Sequence, residues 1–299
     1  MQRIGFCGLG TMGLPMANHL IAAGHQLNVW SHTKAKPQEL AEQHSSVTMC
    51  ATPSEVASTS DVSILIVGDT AMSESVVLGD AGLLAGARPG HLIIDASSVA
   101  PSYSRRAANV CAERHVGFVD APCTGSKPGA EAGTLTFMVG GPAETVESMT
   151  PLLETMGSKI YHCGDVGSGM AAKLSQNLML ANISQVLAES LVLAAKAGVH
   201  PELMLDILHH SAAGTNYADF KGPFILAGDF EPNFSLKWMT KDVDLMLAQA
   251  HELGVELAMT QRLRDLFGTA IDAEGLGEDD FCGAIRMLER HSDVQIGSR

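Results

Sequence analysis

Aromatic residues, cations and charged residues in general are scarce in this chain of 299 residues. Phe, Trp and Tyr make up 5% of it and charged residues 17%, with 19 Lys and Arg against 33 Asp and Glu, a formal net charge of -14. Nucleic acids and anionic membrane surfaces are bound by clustered cations. The shortage of cations therefore argues against both, and the expected partners are small molecules and other copies of the chain.

Disulfides, an export signal and a membrane span are not expected either. The six cysteines include no C-x-x-C pair, and a chain of this size can build its core without disulfides. The apolar opening segment is broken by glycines and lacks a basic start. Polar residues such as Gln176 and Asn182 interrupt the long apolar stretch after residue 170. These features predict a cytoplasmic protein with reduced thiols, and no metal site is predicted.

The first half of the chain alternates short β-like runs with helical stretches, as a parallel sheet with crossover helices requires. The clearest predicted strands are 3–7, 26–30, 62–67 and 91–95, and 116–120, 134–139 and 159–163 extend the sheet. From residue 165 onward only helices are predicted. The first covers 171–197 and is apolar on most of its circumference, so we expect it to be buried. The predicted domains are an α/β domain over residues 1–164 and an all-helical domain over 165–299.

The first predicted strand runs directly into Gly8-Leu9-Gly10-Thr11-Met12-Gly13, and a helical pattern follows at once. This is the G-x-G-x-x-G motif in the strand-turn-helix context in which it binds a dinucleotide. The first glycine permits the tight turn, the second lets the backbone approach the pyrophosphate, and the third allows the helix to pack closely. The motif predicts a doubly wound Rossmann-type sheet with a dinucleotide site.

The choice of cofactor should be made at the end of the second strand, where an acidic residue would bind the ribose 2'-hydroxyl of NAD. Here the strand is followed by Ser31-His32-Thr33-Lys34, which has no carboxylate and could hold a 2'-phosphate. We therefore expect NADP(H), with NAD(H) as the alternative because no arginine is present. Val67-Gly68 and Ser97 follow other predicted strands at the edge where such sheets bind ligands.

Residues 120–130 (DAPCTGSKPGA) leave a strand and are too rich in Gly, Pro and small hydroxyl residues to predict helix or sheet. Successive backbone N–H groups in such a loop can bind an anion, and Thr124 and Ser126, on either side of Gly125, add hydroxyl donors. A carboxylate-binding loop is one interpretation, and a purely structural turn is the other.

Lys173 is the only charged residue at the head of the long apolar helix, and Asn177 lies one turn further on the same face. An ammonium group taken partly out of water must be held by partners or serve a task. The alternative is that the side chain simply extends to solvent from the first turn.

Four separated motifs resemble the β-hydroxyacid dehydrogenase family over nearly the whole chain. They are the opening IGFCGLGTMGLPMANHL, the loop DAPCTGS followed by EAGTLT, the segment GSGMAAKLSQN, and Lys241-Asp242-Val243. The resemblance implies a Rossmann-type domain and an all-helical domain joined by the long helix, with the active site in the cleft between them. It also implies that Lys173 is catalytic, that Asn177 positions the substrate, that Thr124 to Ser126 bind its carboxylate and that Lys241 lies near the cofactor.

Within the family, GSKP in the loop, WSHT after the second strand and GLGEDDF near the end look closest to the glyoxylate and succinic semialdehyde reductases, which commonly prefer NADPH. Ser126 stands where the family usually has glycine, which leaves the substrate open. 3-Hydroxyisobutyrate dehydrogenase and tartronate semialdehyde reductase are the alternatives. A homodimer or homotetramer is expected. Three further alternatives are less favoured. A non-catalytic nucleotide-binding interaction protein of this fold lacks the lysine, and imine reductases usually carry another residue at that position. 6-Phosphogluconate dehydrogenase normally needs a longer C-terminal region.

The predicted reaction is hydride transfer between NADP(H) and a small carboxylated aldehyde or its β- or γ-hydroxyacid, with Lys173 supplying the proton. Burial and a neighbouring Lys241 would lower the pKa of Lys173, whereas the substrate carboxylate would raise it. Cys123 lies beside the loop without a base motif near it, so we interpret it as a packing residue and not as a nucleophile.

Overall fold

The structure is a computed structural model that describes residues 2–297. These residues form two compact units, the first ending at Lys173 and the second beginning at Leu174. The first unit is an α/β sheet domain and the second is helical, which confirms the predicted fold class.

One sheet of nine strands runs through the described part of the first unit. The strands are β1 (Arg3–Cys7), β2 (Gln26–Trp30), β3 (Val47–Met49), β4 (Val62–Leu65), β5 (Leu92–Asp95), β6 (Gly117–Asp120), β7 (Cys123–Thr124), β8 (Leu135–Gly140) and β9 (Gly157–Gly164). Their order is β3-β2-β1-β4-β5-β6-β8-β7, with β9 paired to β8. The six adjacent strands β3, β2, β1, β4, β5 and β6 are parallel to one another. Strand β8 is antiparallel to β6 and β7. The chain changes direction between β1 and β4, the switch point at which open α/β sheets bind their ligands.

Eight helices connect these strands: α1 (Gly13–Ala22), α2 (Ala35–Gln43), α3 (Pro53–Thr59), α4 (Thr70–Leu78), α5 (Leu83–Gly86), α6 (Pro101–Ala112), α7 (Ser126–Ala132) and α8 (Ala143–Leu153). Neighbouring residues of a strand face opposite sides of the sheet. Phe6 and Ile64 accordingly enter one buried cluster, and Cys7 and Leu65 enter another. Because helices cover both faces, the strands are apolar without alternation, as in other parallel sheets.

The second unit consists of helices around one core. They are α9 (Ser168–Lys196), of which the first residues belong to the first unit, α10 (Pro201–His209), α11 (Asn216–Ala227), α12 (Leu236–Leu253), α13 (Ala258–Asp272), a 3-10 turn (Phe281–Ala284) and α14 (Ile285–Ser292). Leu191, Met239, Val243 and Phe267 are among the side chains buried together. The helix expected over 171–197 is confirmed and begins three residues earlier, at Ser168.

The expectation that α9 is buried on all sides is wrong. By length and hydropathy it would qualify as a membrane span, but only 33% of that apolar window is buried. Leu174, Ala181 and Leu191 enter the core of the helical unit. Met179, Val186 and Leu193 are 61%, 54% and 73% exposed. Residues seven apart lie on one face of a helix, so one apolar stripe is left uncovered by the described residues.

The prediction that residues 120–130 form neither helix nor sheet is also wrong. Cys123 and Thr124 pair with Phe137 and Thr136 of β8, and α7 starts at Ser126. Pro128 is the third residue of α7, where a missing N–H costs no helical hydrogen bond. Pro122 and Gly125 flank β7 and Pro128 falls in the first turn of α7, so strand and helix tolerate this composition although Gly129 lies within α7.

Candidate active site

The turn between β1 and α1 has the shape that a dinucleotide requires. Gly8 has a φ of 99°, and a Cβ there would lie 2.1 Å from the carbonyl oxygen of Ile66. A Cβ on Gly13 would lie 1.9 Å from the carbonyl oxygen of Gly8, so these two glycines allow the turn and the close helix. Gly10 is exposed, and a Cβ there would meet nothing within 4 Å. The open space at Gly10 fits the approach of a pyrophosphate group.

Other residues predicted to bind the cofactor surround this turn. No side chain caps the first N–H groups of α1, and its first turn has no acidic residue, which suits a phosphate. Leu9 is buried, Thr11 is exposed and Met12 directly precedes α1. After β2, Ser31 is half-buried and His32, Thr33 and Lys34 are exposed up to the start of α2.

The ends of β4 and β5 are joined by hydrogen bonds. The N–H of Val67, next to Gly68, donates to Oγ of Ser97 at 2.9 Å. The N–H of Ser97 donates in turn to Oδ1 of the buried Asp95 at 2.9 Å. Because β2, β1, β4 and β5 are adjacent and parallel, all of these predicted positions lie along one edge of the sheet.

The predicted substrate loop forms a tight turn between β7 and α7. Thr124 and Ser126 are half-buried and Gly125 is exposed. Gly125 has a φ of 132° and Ser126 a φ of 53°. The second value lies in the left-handed region that favours glycine, which explains why the family usually has glycine at this position. Serine here retains a hydroxyl at the cost of backbone strain.

Lys173 lies beside this loop within the first unit. Its side chain is buried, with 8% exposed, so the alternative that it extends to solvent is wrong. Burial raises the pKa of the Cys123 thiol to about 11, and the Lys173 ammonium lies near enough to lower it in part. A thiol with this pKa stays protonated at neutral pH, in agreement with its interpretation as a packing residue.

Asn177, one turn after Lys173 on α9, is fixed by a buried carboxylate. Its Nδ2 donates to Oδ2 of Asp242 at 2.7 Å, and the two residues are 2% and 0% exposed. A carboxylate can only accept, so it determines which end of the amide it binds. The Asn177 Oδ1 is left buried and without a partner among residues 2–297. It is an acceptor ready for a hydroxyl or an ammonium group.

Lys241 forms an ion pair with the next residue of α12. Its Nζ lies 2.8 Å from Oδ1 of Asp242 and 6.0 Å from the centre of the Trp238 ring. The Asp242 carboxylate thus serves both Asn177 and Lys241.

Two buried carboxylates, one in each unit, had no predicted role. Asp242 follows Lys241 directly, and Asp120 opens the loop motif DAPCTGS. Both stand in the quoted motifs, and an acidic residue in an apolar strand end or helix is itself a signal, because buried carboxylates need partners. Their partners lie 65 and 47 positions away along the chain, where the sequence gives no indication of contact.

Two family models match almost the whole chain. The NAD binding domain of 6-phosphogluconate dehydrogenase matches residues 3–164, and the NAD-binding domain of NADP-dependent 3-hydroxyisobutyrate dehydrogenase matches residues 167–288. The chain belongs to the β-hydroxyacid dehydrogenase family. It is therefore an oxidoreductase that acts on the CH–OH group of small hydroxyacids with a nicotinamide cofactor.

Individual members of the family show how broad this class is. The chain is 36% identical to 2-(hydroxymethyl)glutarate dehydrogenase of Eubacterium barkeri, over 98% of this chain and 97% of that one. It is 34% identical to 3-hydroxyisobutyrate dehydrogenase of Pseudomonas aeruginosa, over 98% and 100%. The solved structure of Mycobacterium tuberculosis 3-hydroxyisobutyrate dehydrogenase with L-serine has a TM-score of 0.86 and 30% identity, over 96% and 99% of the chains.

Proposed function

We propose that this family member interconverts a small carboxylate-bearing aldehyde and its hydroxyacid, with Lys173 as the catalytic acid and base. The observation that carries the proposal is the buried ammonium of Lys173 beside the loop at Cys123. A buried cation next to a turn with hydroxyl residues suits an anionic substrate, because opposite charges attract more strongly away from water.

In the proposed mechanism Lys173 donates a proton to the carbonyl oxygen during reduction and removes it from the hydroxyl during oxidation. The nicotinamide, when bound, supplies or accepts the hydride. Thr124, Gly125 and Ser126 hold the substrate carboxylate. The Oδ1 of Asn177 accepts a hydrogen bond from the substrate hydroxyl or from the Lys173 ammonium and thereby orients the proton transfer.

The leading substrate class is a 2-substituted 3-hydroxypropanoate. Two relatives are named after 2-(hydroxymethyl)glutarate and 3-hydroxyisobutyrate, and the solved structure contains L-serine. All three compounds have a primary alcohol on the carbon next to the one that carries the carboxylate. In that unit a short, fixed distance separates the carboxylate from the reacting carbon. One loop and one lysine can then hold both ends, whatever the substituent.

Glyoxylate and succinic semialdehyde are the second candidate. The segments WSHT and GSKP favour them, and Ser126 adds a hydroxyl where the family pattern has none. The third motif that suggested this branch, GLGEDDF, has a structural use in this chain: its Asp280 is 1% exposed and forms a buried ion pair with Lys221 at 2.6 Å. That motif is therefore a weak indicator of substrate.

NADP(H) is the proposed cofactor. Support comes from the exposed His32, Thr33 and Lys34 after β2 and from the absence of a carboxylate in the segment 31–34. Replacing Lys34 by alanine should raise the KM for NADPH about tenfold and leave that for NADH unchanged. Lys36→Ala, an exposed lysine two residues further, is the control. Equal effects on both cofactors would contradict the preference.

The reaction is tested with Lys173→Ala and a panel of substrates. Initial rates with 3-hydroxyisobutyrate, 2-(hydroxymethyl)glutarate and serine in the oxidative direction, and with glyoxylate, succinic semialdehyde and tartronate semialdehyde in reduction, identify the substrate. Lys173→Ala should reduce turnover at least about 1,000-fold while NADPH still binds with its normal Kd. Lys127→Ala, an exposed lysine of α7, should stay active. Near-normal turnover of Lys173→Ala would refute the mechanism.

We also propose that the chain is a cytoplasmic homo-oligomer with a nucleotide domain over residues 1–164 and a helical domain over 165–299. Met179 and Val186 of the exposed stripe line an apolar groove of about 640 Å³, and Leu193 continues the stripe beyond it. A seven-residue repeat fits the same repeat of a second copy. Light scattering of Val186→Glu should give a smaller species, and an unchanged mass would contradict the use of this stripe.

A further inference from the structure

Asp120, the last residue of β6, binds the start of α9 with both of its carboxylate oxygens. The N–H of Gly167 donates to Oδ1 at 2.6 Å, and the N–H of Met170 donates to Oδ2 at 2.7 Å. The carboxylate is fully buried. The first N–H groups of a helix have no partner within the helix, and a capping side chain normally binds them. Asp120 performs this task from 47 positions earlier in the chain.

The backbone is closely packed around this contact. A Cβ on Gly169 would lie 2.4 Å from the carbonyl oxygen of Met138 and 2.9 Å from that of Asp120. A Cβ on Gly140 would lie 2.5 Å from Oδ1 of Asp120. The first turn of α9 therefore rests directly on the backbone of β6 and β8. Lys173 follows Met170 by three residues, close to one helical turn.

We propose that Asp120 is the positioning residue of the active site, which fixes Lys173 relative to the substrate loop by holding the first turn of α9. The inference rests on the proposed function of Lys173. Asp120 lies three residues before Cys123 in the chain, so the loop and the helix of the lysine are both attached to it. A single carboxylate thus sets the distance between the group that binds the substrate and the group that transfers the proton.

The ionisation of Asp120 adds a pH dependence to this attachment. Burial raises the pKa of Asp120 to about 6, although the N–H groups of Gly167 and Met170 oppose the shift and Asp95 adds to it. The other titratable or charged groups on the surrounding elements are Cys163 on β9, Asp165 before α9, Arg105 on α6 and Lys173 on α9. Protonation places a hydrogen on one of the two oxygens that accept from Gly167 and Met170, so the geometry of this contact changes as the pH falls through about 6.

The test is Asp120→Asn, which keeps the size of the side chain but turns one acceptor toward α9 into a donor. The expected result is a fall in kcat of about 100-fold, because small displacements of a catalytic group have effects of this size. The KM for the cofactor should change less than about twofold. The wild-type kcat should fall as the pH drops through about 6, and this acid limb should be missing in the variant. A wild-type kcat, or a retained limb, would overturn the proposal.

Asp95→Asn is the matched control. Asp95 is also fully buried, pairs in register with Asp120 across β5 and β6, and binds the N–H of Ser97. Its loss should raise the KM for NADP(H) more than it lowers kcat. If both variants changed kcat and KM in the same ratio, or if the folded fraction by circular dichroism explained the loss of rate, Asp120 would be a merely structural residue and the proposal would fail.

Rescue by a free amine separates this inference from the proposed function. Ethylamine should restore part of the turnover of Lys173→Ala, and it should restore the same turnover in Lys173→Ala with Asp120→Asn, because a free amine does not depend on α9. Weaker rescue of the double variant would overturn the positioning role. An active Lys173→Ala refutes the proposed function itself. An inactive Lys173→Ala beside a normal Asp120→Asn refutes only the inference.

Discussion

The two units of this protein bury carboxylates in different ways. In the sheet unit, Asp95 and Asp120 are bound by backbone N–H groups and a hydroxyl. In the helical unit, Asp242 and Asp280 each have a lysine, Lys241 at 2.8 Å and Lys221 at 2.6 Å. A backbone-bound carboxylate fixes the path of the chain but keeps an uncompensated charge. A lysine compensates the charge and needs no particular strand or helix end.

The largest effect is expected when a buried carboxylate of the helical unit loses its lysine and keeps only bonds of the kind found in the sheet unit. Lys221→Met removes the lysine from Asp280 and leaves it bound to the N–H groups of Asn233, Phe234 and Cys282. Removing one partner of a buried pair costs about 3–5 kcal/mol. We expect this loss in the free energy of unfolding by urea at pH 7. Arg3→Met, which removes the partner of the exposed Asp61, should cost much less, because water already screens an exposed ion pair. Equal losses would show that burial does not distinguish the two pairs.

The next effect is the pH dependence of stability that Asp120 introduces. Because burial raises its pKa to about 6, the folded state binds the proton more tightly than the unfolded state. Stability therefore falls as the pH rises from about 4 to 6, by an amount on the order of 2–3 kcal/mol. Urea unfolding between pH 4 and 7 should show this component in the wild type and not in Asp120→Asn. The same slope in both would remove Asp120 as its cause.

A smaller effect is expected when Asp242 loses its charge. Asp242→Asn can donate as well as accept, so the Asn177 amide is free to turn and Lys241 loses its counter-ion. A hydrogen bond to a charged group contributes about 1.5–3 kcal/mol, which corresponds to a roughly 10- to 100-fold lower kcat. Asp244→Asn is the control, an exposed residue of the same helix paired with Arg264. Turnover of Asp242→Asn at the level of this control would show that Asn177 needs no fixed orientation.

The smallest effect concerns a buried group of the sheet unit that is neutral when folded. Burial lowers the pKa of His91, whose Nε2 lies 2.9 Å from Oγ of Ser63. Its contribution to stability should be complete at pH 7 and decline as the pH falls below the ordinary histidine pKa of about 6.5. His91→Gln should remove this decline, whereas the control His44→Gln, which replaces a half-buried histidine in the segment before β3, should keep it. The comparison uses thermal unfolding at pH 5 and 7.

Local sequence patterns predicted the parts of the molecule that depend on neighbouring residues. The segment from Gly8 to Gly13 predicts its turn correctly, because the atoms that require glycine at Gly8 and Gly13 lie a few positions away or on the next strand. Lys173 and Asn177 are one turn apart on any helix. The partners of Asn177 and of the α9 start were not predicted, since Asp242 and Asp120 reach them only after folding. The three-residue β3 was missed because a run that short has no measurable alternation.

Local composition was misleading where tertiary contacts decided the structure. Gly125 and Pro128 suggested an irregular loop, but pairing with β8 and the position of the proline in the first helical turn allow β7 and α7. The apolar circumference of α9 suggested complete burial, but hydropathy alone does not say how many neighbours a helix has.

The continuity of α9 from Ser168 to Lys196 limits how parts can be exchanged between relatives. A chimaera joined at Lys173 and Leu174, the border of the two units, would combine the first turn of one parent with the rest of another parent's helix. Recombination in the turn before Gly167 would instead transfer the whole helix, with Lys173 and Asn177 in their native spacing, onto a foreign aspartate at the end of β6. Such grafts are the natural route for moving a substrate preference from one nucleotide domain to another.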